Sequence, residues 1–210
     1  AGFVGVASSR YAVPAGRVRV EDEVKRSRFI TTLDRANDAD SARVVVDEMR
    51  ATYADASHNC WAFLVGPPGS TGTIGMSDDG EPHGTAGRPM LNVLVHSELG
   101  DAVVVVTRYF GGTKLGKGGL VRAYSSGVQH ALAVVDVAEK VDLTTIRVCI
   151  DYAFVEQIKR ILPDHEAELS GEDYGSDATF LLSLPTERVE GLSGTLQNLT
   201  SGKAVFTTIS

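Results

Sequence analysis

The sequence predicts an α+β protein built from two domains. Three observations carry that reading. Residues 142–210 run in the order β-α-β-β-α-β, the split unit of ferredoxin-like domains. Residues 102–135 run strand, Gly-rich loop, helix, and further strands and helices precede them. Charge breaks near Val135. Residues 1–135 carry 14 Lys/Arg and 14 Asp/Glu, and residues 136–210 carry 6 and 13, so the whole net charge of −7 lies in the second part. A chain of 210 residues suits this division. The expected boundaries are an N-terminal tail over 1–17, a two-layer α/β domain over 18–135, a linker over 136–141 and the ferredoxin-like domain over 142–210.

Each element has a local reason. Arg17–Val24 and Ser27–Leu33 read as strands with polar residues between them. Asp38 or Asp40 caps a helix through Tyr53, in which Val44, Val45 and Met49 alternate with Asp47 and Glu48. His58–Val65 is a strand that is apolar on both faces, hence central. Gly66–Gly75 is a loop at a hairpin tip. Ser77–Gly87 is a second, acidic loop, and Thr85 is its candidate cap for a helix reaching Leu99. Ala102–Phe110 is the strongest strand. The nine residues Gly111–Gly119 form a loop, and Leu120–Val135 forms a helix with Val121, Tyr124, Val128, Leu132 and Val135 on one stripe. In the second domain the expected elements are strand Leu143–Asp151, helix Ala153–Leu162 before Pro163, strands Ala167–Tyr174 and Ala178–Leu184, helix Thr186–Leu199 and strand Ala204–Ile209.

Composition excludes several classes. The chain is 43% apolar and 22% charged, which argues against disorder. No apolar run approaches the roughly 20 residues of a membrane-spanning helix. Ala1–Ser9 lacks the basic leader of a secretory signal. A cytoplasmic protein with no membrane partner is therefore expected. Two distant cysteines, Cys60 and Cys149, make neither a disulfide framework nor a four-thiolate zinc site, and both are expected as reduced thiols. No cofactor and no metal is expected.

The Gly-rich loop is the main chemical signal. Gly111, Gly112, Gly116, Gly118 and Gly119 leave backbone free to approach a ligand or another strand closely. Gly111, Gly116 and Lys117 fit the phosphate-loop spacing, but Gly118 stands where that motif needs a magnesium-binding hydroxyl. Arg108, Lys114, Lys117 and Arg122 are the only charged residues between Ala102 and Val135. They suit phosphate contacts, and Tyr109, Phe110 and Tyr124 offer stacking faces if exposed. The competing reading pairs Arg108 internally with the acidic loop. In that loop Ser77, Asp78, Asp79, Glu81 and Thr85 surround a turn at Asp79-Gly80. Its carboxylates suit a hard cation, but a turn docked on Arg108 or Lys114 explains them as well. His58 and Cys60 share a strand face, about 6–7 Å apart, too far for a thiol–imidazole hydrogen bond.

Two long motifs, S-D-D-G-E-P-x-G-T-A-G at Ser77–Gly87 and V-x-R-Y-F-G-G-x-K-L-G-x-G-G-L-x-R-A-Y at Val106–Tyr124, resemble those of the IMPACT family, including its bacterial YigZ-like members. K-R-S-R-F-I at Lys25–Ile30 and H-N-C-W-A at His58–Ala62 match in order. The resemblance implies that the first domain has the fold of the second domain of a small-subunit ribosomal protein. It also implies a second domain similar to a ferredoxin-like domain of elongation factor G. Eukaryotic relatives regulate translation, which implies a translation-linked binding protein without catalytic activity, having RNA, the ribosome or a translation-regulatory protein as partner. The expected contact residues are Arg108, Tyr109, Lys114, Lys117 and Arg122 beside the Gly-rich loop. The alternative is a phosphate- or nucleotide-binding enzyme with magnesium held by Asp78, Asp79 or Glu81.

Overall fold

The structure is a computed structural model and describes residues 10–209. The expected tail residues 1–9 lie outside that range. Contacts divide the chain into one unit over Tyr11–Glu139 and a second that takes the chain from Lys140 onward together with Arg10.

In chain order, the elements that lie wholly or mostly in the first unit are β1 (Arg10–Pro14), β2 (Val18–Val24), β3 (Ser27–Arg35), α1 (Ala39–Thr52), β4 (His58–Val65), β5 (Thr73–Ser77), α2 (Gly87–Val95), β6 (Ala102–Tyr109), α3 (Gly116–Val134) and β7 (Val137–Val141). Five strands form an antiparallel sheet in the order β2-β3-β6-β4-β5. The valine run of β6 sits at its centre because both its faces are buried. Val104 and Val106 pack under α2 and α3, and Val103 and Val105 pack under α1. The expected sheet-and-helix layers are therefore present, and α1 adds a third layer on the opposite face. Asp38 caps α1 by a reciprocal bond with Ser41, as an aspartate before an amphipathic run should.

Several boundaries differ from the sequence reading; α2 stops at Val95, short of the expected Leu99, and β5 begins at Thr73 within the expected Gly66–Gly75 loop. The tail and linker both contain strands, since β1 pairs with β7 in a two-stranded ribbon. Short segments about 120 residues apart carry no local sign of such pairing. Helix α3 begins at Gly116, so the connection after β6 is only about half the expected loop and three of its glycines form the first helical turn. Glycine disfavours helix locally, and tertiary packing overrides that preference here. Within α3, Leu120, Ala123, Tyr124, Gly127, Val128 and Ala131 are buried, whereas Val121 is exposed. A Cβ on Gly127 would lie 2.6 Å from Thr31 Oγ1, so glycine permits the close approach of α3 to β3.

The second unit contains β8 (Leu143–Ile150), α4 (Val155–Ile161), β9 (Glu168–Tyr174), β10 (Ala178–Pro185), α5 (Val189–Leu199) and β11 (Val205–Ile209). Its antiparallel sheet runs β11-β8-β10-β9, and Ile158, Leu192 and Leu196 of the helices close one core with Ile146, Val148, Phe180 and Leu182. This is the ferredoxin-like arrangement. Short 3-10 turns at Tyr152–Phe154 and Thr186–Arg188 precede α4 and α5 and shorten the expected helices.

Candidate functional site

Arg108 lies on β6, and strand alternation turns it to the same face as Val104 and Val106, under α3. It is buried, so the contact role expected of it is replaced by an internal ion pair. Its Nη1 donates to Glu81 Oε1 at 2.7 Å and its Nη2 donates to Ser27 Oγ at 3.3 Å. The guanidinium lies 5.6 Å from the Phe29 ring centroid and 5.5 Å from that of Phe110. Tyr124 OH also donates to Glu81 Oε1, at 2.7 Å, and His58 Nε2 lies 3.7 Å from Glu81 Oε2. Glu81 thus anchors the acidic loop to the sheet.

The rest of that loop is equally occupied. Asp79 and Gly80 take positive φ, as the expected turn requires. The Asp79 carboxylate accepts from Asn59 N–H at 2.7 Å and pairs with Arg50. The Asp78 carboxylate accepts from the backbone N–H groups of Gly84, Ala86 and Gly87 at 2.8, 3.1 and 2.8 Å, at the start of α2. Asp78 therefore takes the capping role expected of Thr85, whose hydroxyl donates instead to Pro82 O. Burial pushes the Asp78 pKa up, but the three N–H groups and nearby His83 outweigh it and hold the carboxyl below its ordinary range. Ser77 Oγ accepts from Asp79 N–H. Each of the three carboxylates offered to magnesium in the enzyme reading is engaged by protein donors, so that reading has no support in the geometry.

Cys60 is free and fully buried, with Sγ 3.0 Å from Asp78 O and 3.4 Å from Tyr124 OH. Burial, aided by Glu81, Asp79 and Asp78, pushes its thiol well above the ordinary range. It is a core side chain and not a nucleophile. Tyr124 is also buried, which removes it as a stacking face. Tyr109 projects to the opposite side of the sheet from Arg108, where its hydroxyl donates to Asp55 at 2.8 Å and Arg28 covers its ring.

Lys114, Lys117 and Arg122 remain. All three are exposed, and none has a side-chain hydrogen bond or ion pair among the described residues. Lys117 lies in the first turn of α3, whose N-cap Leu115 offers no side-chain acceptor, so the orphan N–H groups and the positive helix end add to the lysine charge. Gly112 and Gly116 take positive φ, and Gly118 and Gly119 keep this turn free of large side chains.

Sequence reasoning missed Lys25. Lys25 and Arg26 form the β2–β3 turn, with φ of 47° and 65°. Gly111 packs directly on this turn, since a Cβ there would lie 2.0 Å from the Arg26 carbonyl. Arg26 Nη2 reaches Thr113 Oγ1 at 3.4 Å. Lys25 and Arg122 line one recess, Lys114 and Lys117 line another, and Leu115 lines both. Adjacent basic residues at a two-residue turn are unusual, and that was the available sequence signal.

The Impact N-terminal domain family matches residues 25–132, and a domain family of unknown function matches 148–203. An IMPACT family member of Haemophilus influenzae is 37% identical over 198 residues, covering 94% of this chain and 96% of that protein. The Escherichia coli IMPACT family member YigZ is 38% identical over 192 residues, covering 91% and 94%. A crystal structure of a hypothetical protein, 36% identical, superposes with a TM-score of 0.69 over 96% of this chain and 98% of that one. No helix among the described residues is long and apolar enough to cross a membrane.

Proposed function

The chain belongs to the IMPACT family, and on that premise we propose that it is a non-catalytic, translation-linked binding protein whose partner is RNA. Family membership supports a translation-related regulatory role. The observation that carries the finer reading is the group of four exposed, unpaired basic side chains, Lys25, Lys114, Lys117 and Arg122, around Leu115 and the start of α3.

Phosphates are the natural ligands of this arrangement. Lysine ammonium groups and helix-terminal N–H groups bind phosphate without reading sequence. The segment from Ala102 to Val135 contains no acidic residue to compete. Arg108 and Glu81 neutralise each other beneath it, so neither adds net charge to the surface. Glu23 lines the recess beside Lys25 and tempers binding there.

Co-sedimentation of the full chain with ribosomes and with bulk RNA across a salt series tests the reading. The control is a folded Lys114→Glu/Lys117→Glu variant. Salt-sensitive binding that the variant loses supports it. Binding that the variant retains would remove the start of α3 from the function.

A further inference from the structure

Among the described residues, Phe110 is a large aromatic side chain exposed beside the basic group, at 51% exposure. Its position is nevertheless fixed. It follows β6 directly, its N–H donates to Ser57 Oγ at 3.0 Å, and Arg108 supports its ring. Arg108 is held in turn by Phe29, Glu81 and Ser27. A platform so braced loses little conformational entropy when something stacks on it.

The space beside Phe110 is a recess of about 360 Å³, within the size range of small-ligand sites. Glu81, Pro82 and Arg108 form part of its lining, and Lys114 and Lys117 stand on it as well. Arg108 is buried in the wall of the recess, its two Nη groups held by Glu81 and Ser27. An aromatic face and two flanking ammonium groups match two parts of a nucleotide, its base and its phosphate.

We infer that this recess holds one unstacked base of a single-stranded RNA on the Phe110 ring, with the adjoining phosphate on Lys114 and Lys117. The inference rests on the RNA-binding reading above and deepens it from charge to strand type. A duplex keeps its base faces inside the stack, so it engages the lysines but not Phe110. Base–aromatic stacking tolerates any base, so little sequence preference accompanies it.

The test is fluorescence anisotropy of the full chain with a labelled oligouridine and with a blunt RNA duplex of equal length. Phe110→Ala is expected to weaken oligouridine binding about tenfold or more, with duplex binding and the salt dependence unchanged. Phe110→Tyr keeps the wild-type value. Phe110→Leu retains apolar bulk without an aromatic face and behaves like Phe110→Ala, so a packing defect in the alanine variant is separated from lost stacking. If Phe110→Ala and Phe110→Leu bind oligouridine as wild type while Lys114→Glu/Lys117→Glu does not, the stacking inference is overturned and the phosphate reading stands. Equal loss on oligouridine and duplex also overturns it. Absence of RNA binding by the wild-type chain overturns both.

Discussion

Arg108 and Glu81 face each other at 2.7 Å with side chains 6% and 3% exposed, so each depends on the other for its charge to be tolerated. Glu81→Ala leaves a buried guanidinium without its counterion and is expected to destabilise the protein by about 3–5 kcal/mol. Replacing the pair by apolar residues, as Arg108→Met/Glu81→Leu, restores much of that loss in urea unfolding. A small effect of Glu81→Ala would mean that water reaches the pair. Asp78 gives a second prediction at this scale. Its carboxyl is depressed in the folded state, so the stability it contributes is present above the unfolded-state value, about 3.9, and is lost as pH falls through the folded value. Stability should therefore decline below about pH 4, and Asp78→Asn should make that decline shallower. An acid limb identical in the variant would show that Asp78 does not cap α2. The internal pairing of Arg108 was visible in the sequence only as one of two alternatives, because a charged residue on a strand does not declare which face it occupies. The burial of Tyr124 and the sidedness of Tyr109 were hidden for the same reason.

The β2–β3 turn and the start of α3 form one structural unit through Gly111. Positive φ at Lys25 and Arg26 costs on the order of 1–3 kcal/mol per residue, and Asn-Gly would adopt this turn with less strain. Lys25→Asn/Arg26→Gly is therefore expected to raise stability by about 1 kcal/mol or more while weakening RNA binding, because Lys25 leaves the surface. A rise in the unfolding midpoint together with lower affinity checks both parts, and unchanged affinity would exclude the turn from the interface. Gly111→Ala acts in the opposite direction. Its Cβ meets the Arg26 backbone at 2.0 Å, so one of the two segments must move, at about 1–3 kcal/mol. The element pattern itself was largely legible. The valines of β6, the capping aspartate of α1 and the β-α-β-β-α-β order of the second unit all follow local rules. The β1–β7 ribbon and the early start of α3 were not legible, because long-range pairing decides the first and packing decides the second. Lys25 escaped for a related reason: its place beside Arg122 in one recess is made by the fold and not by spacing along the chain.

Charge is distributed unequally along the whole molecule. Residues 1–135 sum to zero and residues 136–210 carry the −7. A net-negative protein does not bind nucleic acid through its overall field, so RNA contact has to come from a local basic surface. That makes salt dependence the property that separates the account from a nonelectrostatic partner. Four phosphate contacts to single-stranded RNA, from Lys25, Lys114, Lys117 and Arg122, predict that log K falls with log salt at a slope of about −3. The Lys114→Glu/Lys117→Glu variant removes two of them and reduces the slope to about −1.4. The most direct test is this slope, measured for the full chain on single-stranded RNA from low to physiological salt. A value of about −3 that falls in the variant is the result expected. RNA binding that ignores salt, or no binding even at low salt, would contradict the assignment of the α3 start as an RNA-contacting surface.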